Sequence, residues 1–310
     1  MGAIVNRPGE ELANRQGPRV EDFLRDLDIS PASRATYARS LRQFVLWLGQ
    51  TGRAGGLDAL QREDILQYRE WLLSEGRSSY TVTGYLTAVR RLYEWLEGRK
   101  LCPNIARGIK GARKPKGFRK DCLSAGQLRQ TLAAMRTGTL EGLRDYALLN
   151  LMARTGLRDI EIARALVGDI RQEAGQPVLW IQGKGRDTKD EFVLLLEEAL
   201  QPIREYLQAR GSVSKEEPLF CSHSDRNKGQ ALTTRSISRI VKAALKQAGL
   251  DDKRLTAHSL RHTAITLSIV GGASLQQAQA MARHSDPRTT LVYFHNLDRI
   301  KAGAERHIHF

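Results

Sequence analysis

"TAHSLRHTAI", residues 256–265, sets two histidines and an arginine within five positions at the start of an apolar helical run. In a helix His258 and Arg261 share a face, and so do His258 and His262, one turn apart. A two-histidine metal motif has this spacing, but the position that would carry its glutamate is Ser259, no third ligand follows at a familiar distance, and Arg261 would hold a fixed positive charge against a divalent cation. No metal site is expected. A phosphate suits the same side chains better, because arginine offers a two-pronged fork, histidine a further donor, and a helix beginning near His258 its positive end.

The rest of the composition agrees with a polyanionic partner. Lysine and arginine number 49 against 34 aspartates and glutamates in 310 residues, and the pI is near 10.0. That length favours two domains over one. No apolar run approaches the roughly 20 residues of a spanning helix, and "MGAIVNRPGEELANRQG" lacks the apolar stretch of a signal peptide. A soluble, cytoplasmic protein without a membrane partner is expected. Cys102, Cys122 and Cys221 are odd in number and widely spaced, which argues against a disulfide framework and for reduced thiols.

Residues 18–100 carry apolar positions at three- and four-residue steps, as in "YARSLRQFVLWL" (Tyr37, Leu41, Phe44, Val45, Leu48), and predict a small helical bundle. Ser30 and Pro31 open one helix, and "GRAGG" at 52–56 closes it. Another runs from Arg62 to Leu73, and "SYTVTGYLTAVRRLYEWLEG" supplies a third with Tyr85, Val89, Leu92 and Leu96 on one face. From Arg107 to Lys120 the segment "RGIKGARKPKGFRK" has seven basic residues, no acidic one, three glycines and a proline. It reads as a linker that buries no core, either a solvated tether or, favoured by the chain's charge, a strap along a phosphate backbone. A second domain begins near Leu123, where Ser124 and Gln127 form a capping box. "PVLWIQ" and "EFVLLL" flank "GKGRDTKD" as a hairpin with Lys184 at its tip, and the remaining chain returns to helices, the last opened by Asp286 and Pro287.

A phosphate site at His258 and Arg261 calls for further cations and a nucleophile. "TGLRDIEI" sets Arg158 at a helix start with Glu161 one turn along, Lys184 offers an ammonium, and "ARHSDPRTTLVYFH" adds His284 before a turn and Tyr293 on a short helix after it.

The ordered set Arg158, Lys184, His258, Arg261, His284, Tyr293 resembles the active site of the tyrosine recombinases, the lambda-integrase family, and its wording is similar to that of Xer-like recombinases and small mobile-element integrases. "TGLRDIEI", "GKGRDTKDEFVLL", "HSLRHTAITL" and "HSDPRTTLVYFH" carry the resemblance, while "SRATYARSLRQFVLWL" and "YTVTGYLTAVRRLYEWL" stand where that family has its DNA-clasping helices. One departure is Arg283, where Xer-like proteins usually have glycine.

The resemblance implies a mostly α fold with a small β-sheet: a tail over 1–17, a SAM-like core-binding helical domain over 18–106, a basic linker over 107–120, and an α+β catalytic domain with its C-terminal tail over 121–310. It implies a site-specific recombinase that cleaves and rejoins duplex DNA through a 3′-phosphotyrosine at Tyr293, without a cofactor. In that chemistry Arg158 and Arg261 clamp the phosphate, His258 handles the tyrosine proton, Lys184 protonates the leaving oxygen and His284 bonds a non-bridging oxygen. The implied partners are double-stranded DNA, three further copies in a homo-tetramer on paired sites, and a related recombinase or accessory protein. Integration, excision and dimer resolution are all open to such an enzyme. The alternatives are a type IB topoisomerase-like enzyme and a DNA-binding accessory protein without turnover. His262 reads as a supporting histidine, and Asp159 and Glu161 as structural residues orienting arginines. Arg90, Arg91, Arg235 and Arg239 are candidate DNA contacts. Leu297 and Ile300 lie in a tail that the resemblance implies is passed to a neighbouring subunit, with a frayed terminus as the equal alternative.

Overall fold

A computed structural model describes residues 19–53, 55–113, 121–183, 185–301 and 308, without the side chains of 296–301. The expected N-terminal tail, Lys184, the second half of the basic linker and most of the C-terminal tail lie outside the described residues. The chain divides into two compact units, residues 1–116 and 117–310. Helices dominate both, with one small sheet in the second.

In the first unit, residues 19–26 are helical and precede α1 (Pro31–Gln50), α2 (Arg62–Ser74) and α3 (Ser79–Gly98). Ser30 caps α1 through the Ser33 amide, with Pro31 supplying its fixed φ at the first helical position. The apolar stripe of α1 then packs Leu41, Phe44 and Leu48 against α3, whose Val82, Leu86, Val89, Leu92 and Leu96 are all fully buried. Tyr68 of α2 fills the space beside Phe44 and Trp47, at ring-centroid distances of 4.9 and 5.1 Å. Arg53, in the expected closing segment, lays its guanidinium 4.5 Å from the Trp47 ring centre and pairs with Asp64 at 2.7 Å.

The reading of residues 107–120 as a segment that buries no core needs correction at its start. Ile109 is buried in the helical unit's core, and the carbonyls of Arg107 and Ile109 accept bonds from Arg62 and Arg90. One isoleucine flanked by satisfied carbonyls suffices to dock the strand despite its charge. Arg90 is thereby half-buried and also bonded to Thr87 Oγ1, whereas Arg91 is exposed and paired with Glu94.

The second unit is built around α5 (Leu140–Thr155), which follows α4 (Ala125–Ala133) with its predicted Ser124–Gln127 capping box. Ala147, Leu148, Leu149, Leu151 and Met152 of α5 are fully buried. A helix apolar on so many sides must lie inside, and α5 packs against both α7 (Glu197–Arg210) and α9 (Ala257–Val270). Between them come the short α6 (Asp159–Arg164), a 3₁₀ turn at Val167–Asp169 and an antiparallel sheet of β1 (Ile170–Glu173), β2 (Gln176–Ile181) and β3 (Glu191–Leu194). The predicted hairpin is β2–β3, with Val178 opposite Leu194 and Leu179 opposite Val193.

Strand β1 was not anticipated. "IRQE" holds one apolar residue, and the strand is set instead by its turn: Ala174 and Gly175 both take positive φ, 48° and 77°, the twist that two-residue hairpins need. After α8 (Thr234–Gln247) and α9, α10 (Leu275–Ala282) leads into α11 (Pro287–Lys301), a longer helix than expected that runs through Leu297 and Ile300. Asp286 opens it, accepting a bond from the Arg288 amide. Among the described residues no helix is long and apolar enough to cross a membrane.

Candidate active site

Three chain reversals bring the chemistry together. The first ends α5 at Gly156, whose φ of +63° lets the chain turn left-handed and release Arg158 as the cap of α6. The Arg158 amide and guanidinium bond the two oxygens of Glu161, each at 2.7 Å. Glu161 is fully buried; burial alone would raise its carboxyl, but the Arg283 charge and the bonds from Arg158 hold it below its usual value. Asp159, read as orienting an arginine, instead accepts a bond from Ser238 of α8.

The second reversal starts α9, where Thr256 and Ser259 cap each other and set His258, Arg261 and His262 on the first turns. Arg261 is 3% exposed, and its fork reaches two carbonyls, Gly156 at 2.6 Å and Ala282. Those carbonyls each lie two residues before a candidate catalytic residue, Arg158 and His284. Arg261 thus ties both turns to α9, and burial with the neighbouring Arg158 and Arg283 charges lowers its pKa to about 9.

At the third reversal, α10 ends in Arg283, with φ 53° and ψ 47°, and delivers His284. The Nδ1 of His284 lies 2.9 Å from the buried Thr290 Oγ1, so the threonine hydroxyl holds the ring with Nε2 turned to other partners. Tyr293 follows on α11, 4% exposed, its hydroxyl 2.5 Å from His262 Nδ1. The His262 ring centre is 4.7 Å from that of His258 and 5.5 Å from that of Tyr293, while His284 stands 6.4 Å from Tyr293.

Arg158, His258, Arg261, His284 and Tyr293 are therefore gathered in one place; Lys184 lies outside the described residues. His262, read as a supporting histidine, contacts the tyrosine hydroxyl. Thr290 and the Gly156 carbonyl had no signal in the sequence.

Electrostatics prepares the site for an anion. His262 and His284 are both lowered to about 4, by burial first and then by neighbouring histidine and arginine charges, and are neutral at pH 7. Burial raises the Tyr293 phenol to about 12, although Arg261 works in the opposite direction. An imidazole in contact with the phenol can take its proton as the oxygen attacks, and fixed guanidiniums can stabilise the charge that then develops on the phosphorane oxygens. A cleft of about 800 Å³ opens here, lined by Arg158, Trp180, Arg186, Arg283 and His284. A second, apolar groove of about 940 Å³ lies between α4, β3, α9 and α10. Among the described residues no three His, Cys, Asp or Glu side chains cluster in a way that could hold a metal ion.

Comparison with known proteins agrees with this geometry. The phage integrase family matches residues 121–299, and the phage integrase N-terminal SAM-like domain matches residues 20–100. The chain is 32% identical to tyrosine recombinase XerC of Pelobacter propionicus, over 88% of each chain, and 27% identical to tyrosine recombinase XerD of Listeria innocua, over 89% of this chain and 93% of that one. The same fold occurs in a XerH site-specific recombinase bound to a palindromic difH substrate, with TM-score 0.76, 20% identity and 98% of each chain covered. It also occurs in a lambda integrase dimer bound to a core site, with TM-score 0.69, 16% identity, and 90% and 94% covered. With its buried tyrosine, paired histidines and guanidiniums in one site and the family match spanning that site, this chain belongs to the phage integrase family of tyrosine recombinases.

Proposed function

We propose that the chain is a site-specific recombinase that cuts and rejoins duplex DNA with Tyr293 as nucleophile. The observation that carries this reading is the short Tyr293–His262 contact beside Arg261 and His284. The Tyr293 oxygen attacks a backbone phosphorus, forming a 3′-phosphotyrosine and breaking the bond to the 5′ oxygen. Its proton passes to the histidine pair, His262 in contact and His258 beside it. Arg158 and Arg261 oppose the phosphorane charge, and His284 donates from Nε2 to a non-bridging oxygen. Lys184 protonates the departing 5′ oxygen. Attack by the 5′ hydroxyl of a partner strand reverses each step, so the energy of the broken bond is kept in the phosphotyrosine and no cofactor is required.

Double-stranded DNA is the substrate, held in part by the exposed Arg235 and Arg239 of α8. The enzyme acts as a homo-tetramer on two paired sites, in integration, excision or dimer resolution, in the cytoplasm and with a related recombinase or accessory protein where the reaction needs one. The apolar groove and the exposed Phe192, Leu194 and Leu196 beside it support such assembly, since apolar surface of this kind favours protein contact. The domain division follows: a helical DNA-binding unit, a basic connection and a catalytic unit. The test is covalent capture. Wild type incubated with nicked duplexes yields a protein–DNA adduct, and Tyr293→Phe yields none while retaining duplex binding.

A further inference from the structure

Arg283 stands in a backbone conformation that glycine adopts freely and arginine rarely does, with φ 53° and ψ 47° at the turn into His284. Its side chain does not escape to solvent. It folds inward until 4% exposed, with NH2 2.9 Å from Glu161 Oε2 and 3.3 Å from the Gly156 carbonyl, and NH1 2.5 Å from the Met281 carbonyl. Its Nε is buried with no hydrogen-bond partner among the described residues. Strain and an orphaned donor together mark a side chain kept for something other than the turn.

Glu161 joins Arg283 to Arg158. Its Oε1 holds the Arg158 guanidinium at 2.7 Å, while Oε2 receives the Arg158 amide at 2.7 Å and Arg283 at 2.9 Å. With Arg158 alone, the buried Glu161 carboxylate would cancel the charge of one partly exposed guanidinium. With Arg283 sharing the Glu161 carboxylate, Arg158, Arg261 and Arg283 set three guanidiniums around it, and Glu191 also attracts Arg283. Arg283 adds one positive charge to the cluster. The phosphorane formed by tyrosine attack carries one more negative charge than the diester, so the added charge favours the transition state over the bound substrate. Arg283 and Arg261 also meet on the same Gly156 carbonyl, which fixes their positions relative to Arg158.

We propose that Arg283 is a positioning residue of the reaction: by sharing Glu161 it keeps Arg158 a net cation toward the scissile phosphate, and its strained turn aims His284 at the same atom. This inference rests on the recombinase reading above. Arg283 acts through Glu161 and its neighbours, without touching DNA.

The test uses the full chain and the duplex recovered from the wild-type adduct in a pool of nicked duplexes with randomised centres. Single-turnover adduct formation at saturating duplex, duplex Kd and melting temperature are measured for wild type, Arg283→Gly, Arg283→Lys and Glu161→Gln/Arg283→Gly. Arg283→Gly should form adduct at least tenfold more slowly, with Kd within about twofold; its melting temperature sets a relieved turn against the loss of one partner of a buried carboxylate. Arg283→Lys, which keeps the charge, should recover part of the rate. Removing the Glu161 charge as well should bring the rate above that of Arg283→Gly alone. An Arg283→Gly rate within twofold of wild type overturns the proposal. So does a rate loss that tracks a fall in melting temperature and is not relieved by lysine or by the second substitution. If Arg283→Gly does not fold, Arg283→Lys decides: a rate equal to that of an Arg283→Met variant overturns the proposal, and a faster one supports it. A wild-type chain that forms no adduct would instead overturn the recombinase reading itself.

Discussion

The hydroxyl of Tyr293 on α11 lies 2.5 Å from Nδ1 of His262 on α9, and the His258 ring stands edge to face with that imidazole. The proposed nucleophile is therefore held by the histidine that follows Arg261, and the histidine three residues before Arg261 is one ring removed. His262→Ala should lower the single-turnover rate of adduct formation by roughly 100- to 10,000-fold, the scale of a lost general base. Duplex affinity should stay near wild type. An unchanged rate in His262→Ala together with a large loss in His258→Ala would assign the proton to His258 alone.

Thr290 fixes His284 rather than meeting substrate. Thr290→Val keeps the volume of a fully buried side chain but removes the hydroxyl from Nδ1, leaving the ring free to present the wrong nitrogen. Adduct formation should fall about tenfold, and stability by about 1 kcal/mol for the lost hydrogen bond. Denaturant midpoints and the single-turnover rate check both parts; a rate equal to wild type would show that the tautomer is fixed by something else.

The two buried histidines also couple folding to pH. Their folded pKa values near 4 lie below the ordinary 6.5, so between those values the unfolded chain binds more protons than the folded one. Stability should therefore fall as pH drops from about 6.5 toward 4, by at most about 1.4 kcal/mol per pH unit for each histidine. Urea midpoints at pH 7.5, 6.0 and 5.0 measure the slope. His262→Gln/His284→Gln should flatten it over this range, and an undiminished slope would locate the coupling elsewhere.

In the helical unit, the Tyr68 hydroxyl is buried with no hydrogen-bond partner among the described residues, and burial raises its pKa far above the usual value. Tyr68→Phe keeps the contacts with Phe44 and Trp47 and removes an unsatisfied polar group. Its denaturant midpoint should equal or exceed that of wild type, by up to about 1 kcal/mol. A loss of that size would reveal a partner for the hydroxyl.

Much of this arrangement was legible in the sequence because its signals are local. Ser30 with Pro31, and Ser124 with Gln127, each satisfy backbone donors within one turn, so they mark helix starts wherever they fall. Arg158, Arg261, His284 and Tyr293 could be singled out because each lies within a short family motif. What escaped was long-range or geometric. Strand β1 depends on the left-handed Ala174–Gly175 turn rather than on hydrophobic alternation. Ile109 docks because Arg62 and Arg90 reach across to its neighbouring carbonyls, contacts spanning up to 45 residues. The role of His262 depends on α9 and α11 meeting, and that of Arg283 on an arginine turning inward toward a glutamate 122 residues earlier. No periodicity encodes such encounters.

The central claim is the phosphotyrosine. Wild-type chain and Tyr293→Phe, each incubated with nicked duplexes carrying randomised centres and resolved on a denaturing gel, give the direct answer. The account predicts a covalent band with wild type only, with equal duplex binding by both proteins and with peptide mapping that places the DNA on Tyr293. A covalent band that persists in Tyr293→Phe, or wild-type binding with no band on any duplex, would contradict it.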